Sequence, residues 1–204
     1  MQQPIESPIS VFETAQSYDS YIEMLNDLVA QNKTTGPNQS EAYINYTRQN
    51  LQRKSRINRT LRLTEDQIDF FSTLPGKFKW LVITEGWCGD ASAILPILNQ
   101  LAKLNKQIEL RITLRDEHPT LMDQFLTNGS RSIPVLIVMD TQGQVIGSWG
   151  PRPKEAQDIL IQMKQDPLVI QADINIALQK WYAKDKGRTT IEEVQQLLKA
   201  PVLS

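Results

Sequence analysis

Cys88 is the residue of this chain best suited to chemistry, and it is the only cysteine among 204 residues. It lies in the run Trp87-Cys88-Gly89-Asp90-Ala91. A thiol becomes a nucleophile once it loses its proton. Because the chain holds no second cysteine, any disulfide that Cys88 forms must join it to another molecule.

The residues on either side of Cys88 predict the elements that position it. Residues 80–84 are apolar and rich in β-branched side chains, which is typical of a buried strand. Apolar residues recur at helical spacing after the cysteine, at Ile94, Leu95, Leu98, Leu101, Ala102 and Leu104. Cys88 is therefore predicted at a helix N-terminus, where unpaired N–H groups and the helix dipole favour a thiolate. We also expect it to face solvent.

Two segments resemble thioredoxins. Residues 88–98 are similar to the helix that begins at the W-C-G-P-C motif, and Pro96 stands where those helices carry a proline. Residues 131–136 resemble the R-G-I-P-T-L segment, and the resemblance implies that Pro134 is a cis-proline facing the sulfur. The W-C-G-D-A variant, together with the runs 115–117 and 128–134, more narrowly resembles a bacterial branch of thioredoxin-like proteins.

This resemblance predicts an α/β protein with a three-layer thioredoxin fold, in which helices flank a central mixed sheet. Residues 76–164 are predicted to form the thioredoxin-like domain, with 108–114 as its second strand, 120–126 as its second helix and 140–147 as a hairpin. Residues 1–75 are predicted to be an N-terminal helical extension. Residues 165–204 are predicted to be a C-terminal one.

Departures from the thioredoxin pattern remove part of its chemistry. Ala91 stands where the resolving cysteine would be, and Val82 stands where thioredoxins carry a buried aspartate that assists proton transfer. Asp90 replaces the motif proline, and its carboxylate would raise the thiol pKa. Glu85 would add to that effect if it pointed toward the site.

Two arginines are candidates to offset this effect. A guanidinium of Arg115 or Arg131 near Cys88 would stabilise the thiolate. The alternative is that Arg115 pairs with a neighbouring carboxylate as part of a structural network. His118 is the only histidine, and a surface role is favoured over a Cys–His pair.

A run of basic residues in the N-terminal part, made up of Arg48, Arg53, Lys54, Arg56, Arg59 and Arg62, is interpreted mainly as a solvated face. The formal net charge of −1 gives no nucleic-acid signature. No apolar run approaches the ~18 residues that cross a bilayer, and no leader is recognised, so we expect a cytoplasmic protein without membrane contact. No cofactor and no metal is predicted.

Two functions are compatible with the sequence. The first is a monothiol thiol-disulfide oxidoreductase or thiol sensor, with Cys88 as the catalytic residue and a protein disulfide or a low-molecular-weight thiol as partner. The second is a non-catalytic module that binds a protein partner through the active-site groove and the helical flanks. The residues predicted to surround the site are Glu85, Trp87, Gly89, Asp90, Ala91, Arg115, Arg131, Ile133 and Pro134.

Overall fold

The computed structural model describes residues 5–199, and a four-stranded sheet forms its centre. The strands are β1 (Phe78–Thr84), β2 (Ile108–Leu114), β3 (Val135–Met139) and β4 (Val145–Trp149), in the order β2-β1-β3-β4. Strands β1 and β2 are parallel, whereas β3 is antiparallel to both β1 and β4. The predicted mixed sheet, its second strand and its hairpin are thereby confirmed.

Strand β1 lies in the middle of the core. Its residues from Trp80 onward are buried, as expected for an apolar strand with neighbours on both edges. The strand begins two residues before the predicted start, because Phe78 and Lys79 pair with the first residues of β2.

Three helices complete the thioredoxin-like unit: α5 (Gly89–Lys103), α6 (Pro119–Met122) and α7 (Lys154–Lys164). Helix α5 is almost wholly buried, consistent with its apolar sequence. Helix α6 is shorter than the predicted 120–126. Beyond Met122 the chain tightens into i→i+3 hydrogen bonds, and residues 127–130 then form a turn closed by an isolated bridge.

Four helices precede the sheet: α1 (Pro8–Thr14), α2 (Tyr18–Ala30), α3 (Glu41–Thr60) and α4 (Glu65–Thr73). Thr64 and Gln67 form a capping box at the start of α4. Helix α2 packs Tyr21 and Leu25 into the core with no exposed surface. Between α1 and α2, Gln16 bridges to Ile112 at the free edge of β2, which covers that edge.

Two helices follow the unit, α8 (Gln171–Asp185) and α9 (Arg188–Lys199). They are separated at Lys186 and Gly187, whose positive φ angles end α8. The extra helices predicted before and after the thioredoxin-like unit are confirmed, whereas the divisions at residues 75 and 164 stay a prediction. None of the helices within residues 5–199 combines the length and the apolarity that a membrane crossing requires.

Candidate functional site

Cys88 occupies the junction between β1 and α5, where the sequence places it. It is the N-cap residue of α5, and its Sγ accepts a hydrogen bond from the Ala91 N–H at 3.5 Å. The thiol donates to the Ile133 carbonyl at 3.3 Å. The sulfur therefore lies between a helix N-terminus and the segment that leads into β3.

That segment contains a cis peptide bond between Ile133 and Pro134, as predicted. A second cis bond joins Gly150 to Pro151. Gly150 has a φ of +133°, and a Cβ at this position would lie 2.3 Å from the Pro134 carbonyl oxygen. The chain beside the sulfur is thus packed backbone to backbone, and only glycine fits at position 150.

Asp90 is held in a network that the sequence did not predict. Its carboxylate accepts hydrogen bonds from Arg152 Nη2 at 2.6 Å and from the Tyr182 hydroxyl at 2.7 Å. Both members of the Asp90–Arg152 ion pair are 11% exposed. The negative charge of Asp90 beside Cys88 is consequently balanced by Arg152, two residues before α7, and not by Arg115 or Arg131.

Helix α8 lies over the start of α5. Gln179 Nε2 donates to the Gly89 carbonyl at 3.1 Å, one turn before the Tyr182 contact with Asp90. Both residues lie in the predicted C-terminal helical extension, but the sequence did not indicate what they would contact. The C-terminal helices therefore form part of the site.

The environment of Cys88 keeps its thiol protonated. The residue is only 5% exposed, which corrects the expectation that it faces solvent. Burial raises the pKa of the Cys88 thiol to about 12, and the Asp90 carboxylate adds to this rise. The Ala91 N–H, Lys54 and Arg152 favour the thiolate but do not outweigh burial. The thiolate stabilisation that the sequence predicts at a helix N-terminus is therefore present, but it is too small to bring the pKa of Cys88 down to its ordinary value.

Helix α3 turns a polar face toward this site. Thr47, Asn50 and Lys54 are all buried, at the spacing of one helix face. Asn50 Nδ2 donates to the Gly86 carbonyl at 3.0 Å and to the Cys88 carbonyl at 3.1 Å, which fixes the loop before α5. This face was missed because polar residues at helical spacing normally indicate a solvated surface.

Lys54 corrects the interpretation of the basic run as a solvated face. It is 1% exposed, and its Nζ has no hydrogen-bond partner within residues 5–199. The amine lies 5.7 Å from the centre of the Tyr21 ring. Burial lowers the pKa of Lys54 to about 8, although the nearby Cys88 opposes this shift.

Glu85 follows β1 directly and is fully buried. One carboxylate oxygen accepts the Asp116 N–H at 3.0 Å, whereas the other has no hydrogen-bond partner within residues 5–199. Burial raises the pKa of Glu85. The carboxylate thus braces the loop after β2, while the Glu85 backbone carbonyl accepts the Cys88 N–H at 3.2 Å.

Arg115 and Arg131 lie near the site but are engaged elsewhere. Arg115 Nε donates to Asp116 at 2.8 Å, and its guanidinium lies 4.9 Å from the centre of the Trp87 ring. Arg131 forms a bidentate pair with Asp123. For Arg115 the structural alternative therefore applies, and neither arginine is among the groups that shift the Cys88 pKa.

His118 takes no part in the site. Its Nδ1 lies 2.7 Å from Glu6 Oε1, in a cluster that ties the start of the chain to α6. The surface role favoured from sequence agrees with this contact.

A cleft of about 920 Å³ opens above Cys88. It is bounded by α3, the loop before α5, the segment before β3, and helices α7 and α8. Predicted site residues that line it are Trp87, Cys88, Gly89, Asp90, Arg115, Arg131 and Ile133. The other predicted site residues, Glu85, Ala91 and Pro134, do not line the cleft. The tilted rings of Tyr43 and Trp87, with centroids 5.0 Å apart, form one side.

A mixed sheet, a cysteine at the N-terminus of a buried helix and a cis-proline opposite the sulfur define a thioredoxin-fold protein with a single cysteine. The chain belongs to the thioredoxin family, whose sequence model matches residues 36–164. That match spans well over half of the chain. It includes α3, which carries the buried polar face.

Solved structures share this fold at low sequence identity. A protein of unknown function from Pseudomonas aeruginosa superposes with a TM-score of 0.67 at 18% identity, over 95% of this chain and 98% of that one. An HIV epitope-scaffold superposes with a TM-score of 0.64 at 17% identity, over the same shares. No curated protein sequence matches the chain. These similarities concern the fold alone.

Proposed function

We propose that this protein performs single-thiol redox chemistry, in which Cys88 forms a mixed disulfide with a partner held in the cleft. The observation that carries the proposal is the position of the Cys88 thiol, between the α5 N-terminus and the carbonyl that precedes cis-Pro134, on the wall of an open cleft. The partner that supplies the S–S bond is a protein disulfide or the disulfide of a low-molecular-weight thiol, and a low-molecular-weight thiol is the compound that resolves the adduct. The role that follows is in redox homeostasis of a bacterial cytoplasm.

The proposed reaction is one thiol–disulfide exchange. Cys88 gives its proton to solvent, and its sulfur attacks one sulfur of the partner disulfide. That S–S bond breaks, and the other half leaves as a thiolate that takes up a proton. Because Ala91 replaces the resolving cysteine, only an external thiol can release the adduct.

The raised pKa of Cys88 limits the rate of this reaction. With a pKa of about 12, only a very small fraction of the thiol is ionised at neutral pH. The proposal is therefore a slow mixed-disulfide or sensing function and not rapid turnover.

Intact mass spectrometry tests the proposal. We expect one adduct per folded chain with hydroxyethyl disulfide, because Cys88 lines the cleft, and complete reversal by excess dithiothreitol. The Cys88→Ser variant should give none. An unmodified folded chain, under conditions in which the urea-unfolded chain reacts fully, would rule the proposal out.

A non-catalytic binding module is the second candidate, and the burial of Cys88 specifically favours it. A thiol that is 5% exposed and donates to Ile133 also serves as an ordinary packing group. On this alternative the cleft and α8 bind a protein partner, and Cys88→Ser leaves the affinity unchanged. The same mass experiment separates the two candidates.

A further inference from the structure

Positively charged side chains outnumber negatively charged ones along the wall of the cleft. The basic side chains that line it are Arg53, Arg115, Arg131, Arg152 and Lys180, whereas Asp90 is the only acidic lining residue within residues 5–199. Asp90 is already satisfied by Arg152 and Tyr182. The cleft therefore presents no free carboxylate from the described part of the chain to an incoming molecule.

Arg53 is the cation of this wall that lies next to the Cys88 loop and pairs with no acid within residues 5–199. Its guanidinium donates to Asn50 Oδ1 at 3.0 Å and to Gln49 Oε1 at 3.4 Å, both of which are neutral amides. Asn50 in turn holds the Cys88 carbonyl. Arg115 and Arg131, by contrast, each have an aspartate partner.

Partial burial makes Arg53 a stronger anion site than a fully solvated arginine. The loss of solvent lowers the pKa of Arg53, because the guanidinium gives up water without gaining a counter-charge. A carboxylate that enters the cleft would supply that charge. Arginine also offers a planar fork that matches a carboxylate in two hydrogen bonds.

We infer that the cleft selects small disulfides that carry carboxylates, and carboxylate-bearing thiols as the reagents that later release the adduct, with Arg53 as the residue that binds the anionic group. This inference rests on the proposed thiol function, since it names the charge class of the molecule that reaches Cys88. The exchange step is unchanged. The sulfur of Cys88 bonds to one half of the anionic disulfide, and the other half leaves as a thiol after protonation.

A charge series of three reagents tests the inference. Dithiodipropionate is anionic, hydroxyethyl disulfide is neutral and cystamine is cationic. Each rate of Cys88 modification is divided by the rate for the urea-unfolded chain, which removes the intrinsic reactivity of the reagent. We expect the anion to exceed the cation by about tenfold in the folded protein at low salt, and the preference to weaken in 0.5 M NaCl.

Arg53→Gln is expected to abolish most of this preference. Arg56→Gln is the matched control, since Arg56 is an exposed arginine of the same helix that does not line the cleft. Equal rates for the three reagents, or equal effects of the two variants, would overturn the inference and leave the thiol function intact.

A binding measurement keeps the inference testable if Cys88 proves unreactive. Calorimetric titration of the Cys88→Ser variant with dithiodipropionate should show binding that Arg53→Gln weakens several-fold and Arg56→Gln does not. Absence of binding would refute the anion site independently of any thiol chemistry.

Discussion

Replacing Lys54 by methionine is expected to stabilise the protein by about 3 kcal/mol at pH 7. Lys54 carries a buried amine without a hydrogen-bond partner in residues 5–199, and its pKa falls from 10.5 to about 8. Each unit of difference between the folded and the unfolded pKa corresponds to about 1.4 kcal/mol in the free energy of unfolding. Methionine fills a similar volume without a polar group, so the variant removes the cost of burying the charge. Urea unfolding at pH 7 measures the change.

The pH dependence identifies the amine as the cause. The folded protein loses the Lys54 proton near pH 8, whereas the unfolded chain keeps it to about pH 10.5. Between these values the unfolded state binds more protons, so the Lys54 contribution makes wild-type stability rise with pH. The advantage of Lys54→Met should therefore shrink across this window. Cys88 titrates in both proteins, and its contribution largely cancels in the difference.

Arg56→Met is the matched control for this prediction. Arg56 is exposed on the same helix, so its substitution should change stability by less than about 0.5 kcal/mol. Destabilisation by Lys54→Met would contradict the account. It would mean that Lys54 is a charged partner of Cys88, since removing one member of a buried pair is costly.

The second large effect is expected for Arg152→Met, which should destabilise the protein by about 3 kcal/mol. The substitution leaves the Asp90 carboxylate nearly buried with only the Tyr182 hydroxyl as a partner. Removing one member of a buried pair typically costs about 3–5 kcal/mol. The pKa of Cys88 should also rise further, because Arg152 favours its thiolate. Denaturant unfolding measures the loss of stability.

A double substitution shows whether the uncompensated charge causes that loss. Asp90→Asn combined with Arg152→Met removes both charges, and the new amide oxygen still accepts from Tyr182, so most of the lost stability should return. Lys154→Met removes one member of an ion pair whose side chains are 81% and 58% exposed, and it should cost less than about 0.5 kcal/mol. If Arg152→Met lowered the free energy of unfolding no more than Lys154→Met does, the buried Asp90–Arg152 pair would not stabilise the fold.

The sheet and its helices were predictable because apolar periodicity reports burial directly. The largely apolar run of β1 and the helical spacing of apolar residues in α5 each indicated an element that the structure contains. Helix α6 is shorter than predicted, because i→i+3 hydrogen bonds replace the helical ones directly after Met122 and a turn with positive φ at Asn128 and Gly129 follows. Local patterns carry little information about where a helix gives way to such a turn.

The site was only partly predictable because its polar contacts join distant segments. The W-C-G-D-A run located Cys88, and the resemblance to thioredoxins located Pro134. Arg152, the ion-pair partner of Asp90, lies 62 residues after it in the chain. Asn50, whose amide holds the Cys88 carbonyl, lies 38 residues before Cys88. Lys54 lay within a basic run, and sequence alone cannot tell which member of such a run turns inward.

The rate at which iodoacetamide modifies Cys88, measured as a function of pH on the folded chain, tests the central claim most directly. The account predicts a single modified residue, absent in Cys88→Ser, with a rate that rises about tenfold per pH unit from pH 7 to beyond pH 9 and does not level off, because the pKa of the buried thiol is raised to about 12. A plateau below pH 8.5 would contradict the raised pKa. Complete protection of the folded chain up to pH 9 would contradict thiol chemistry in the cleft.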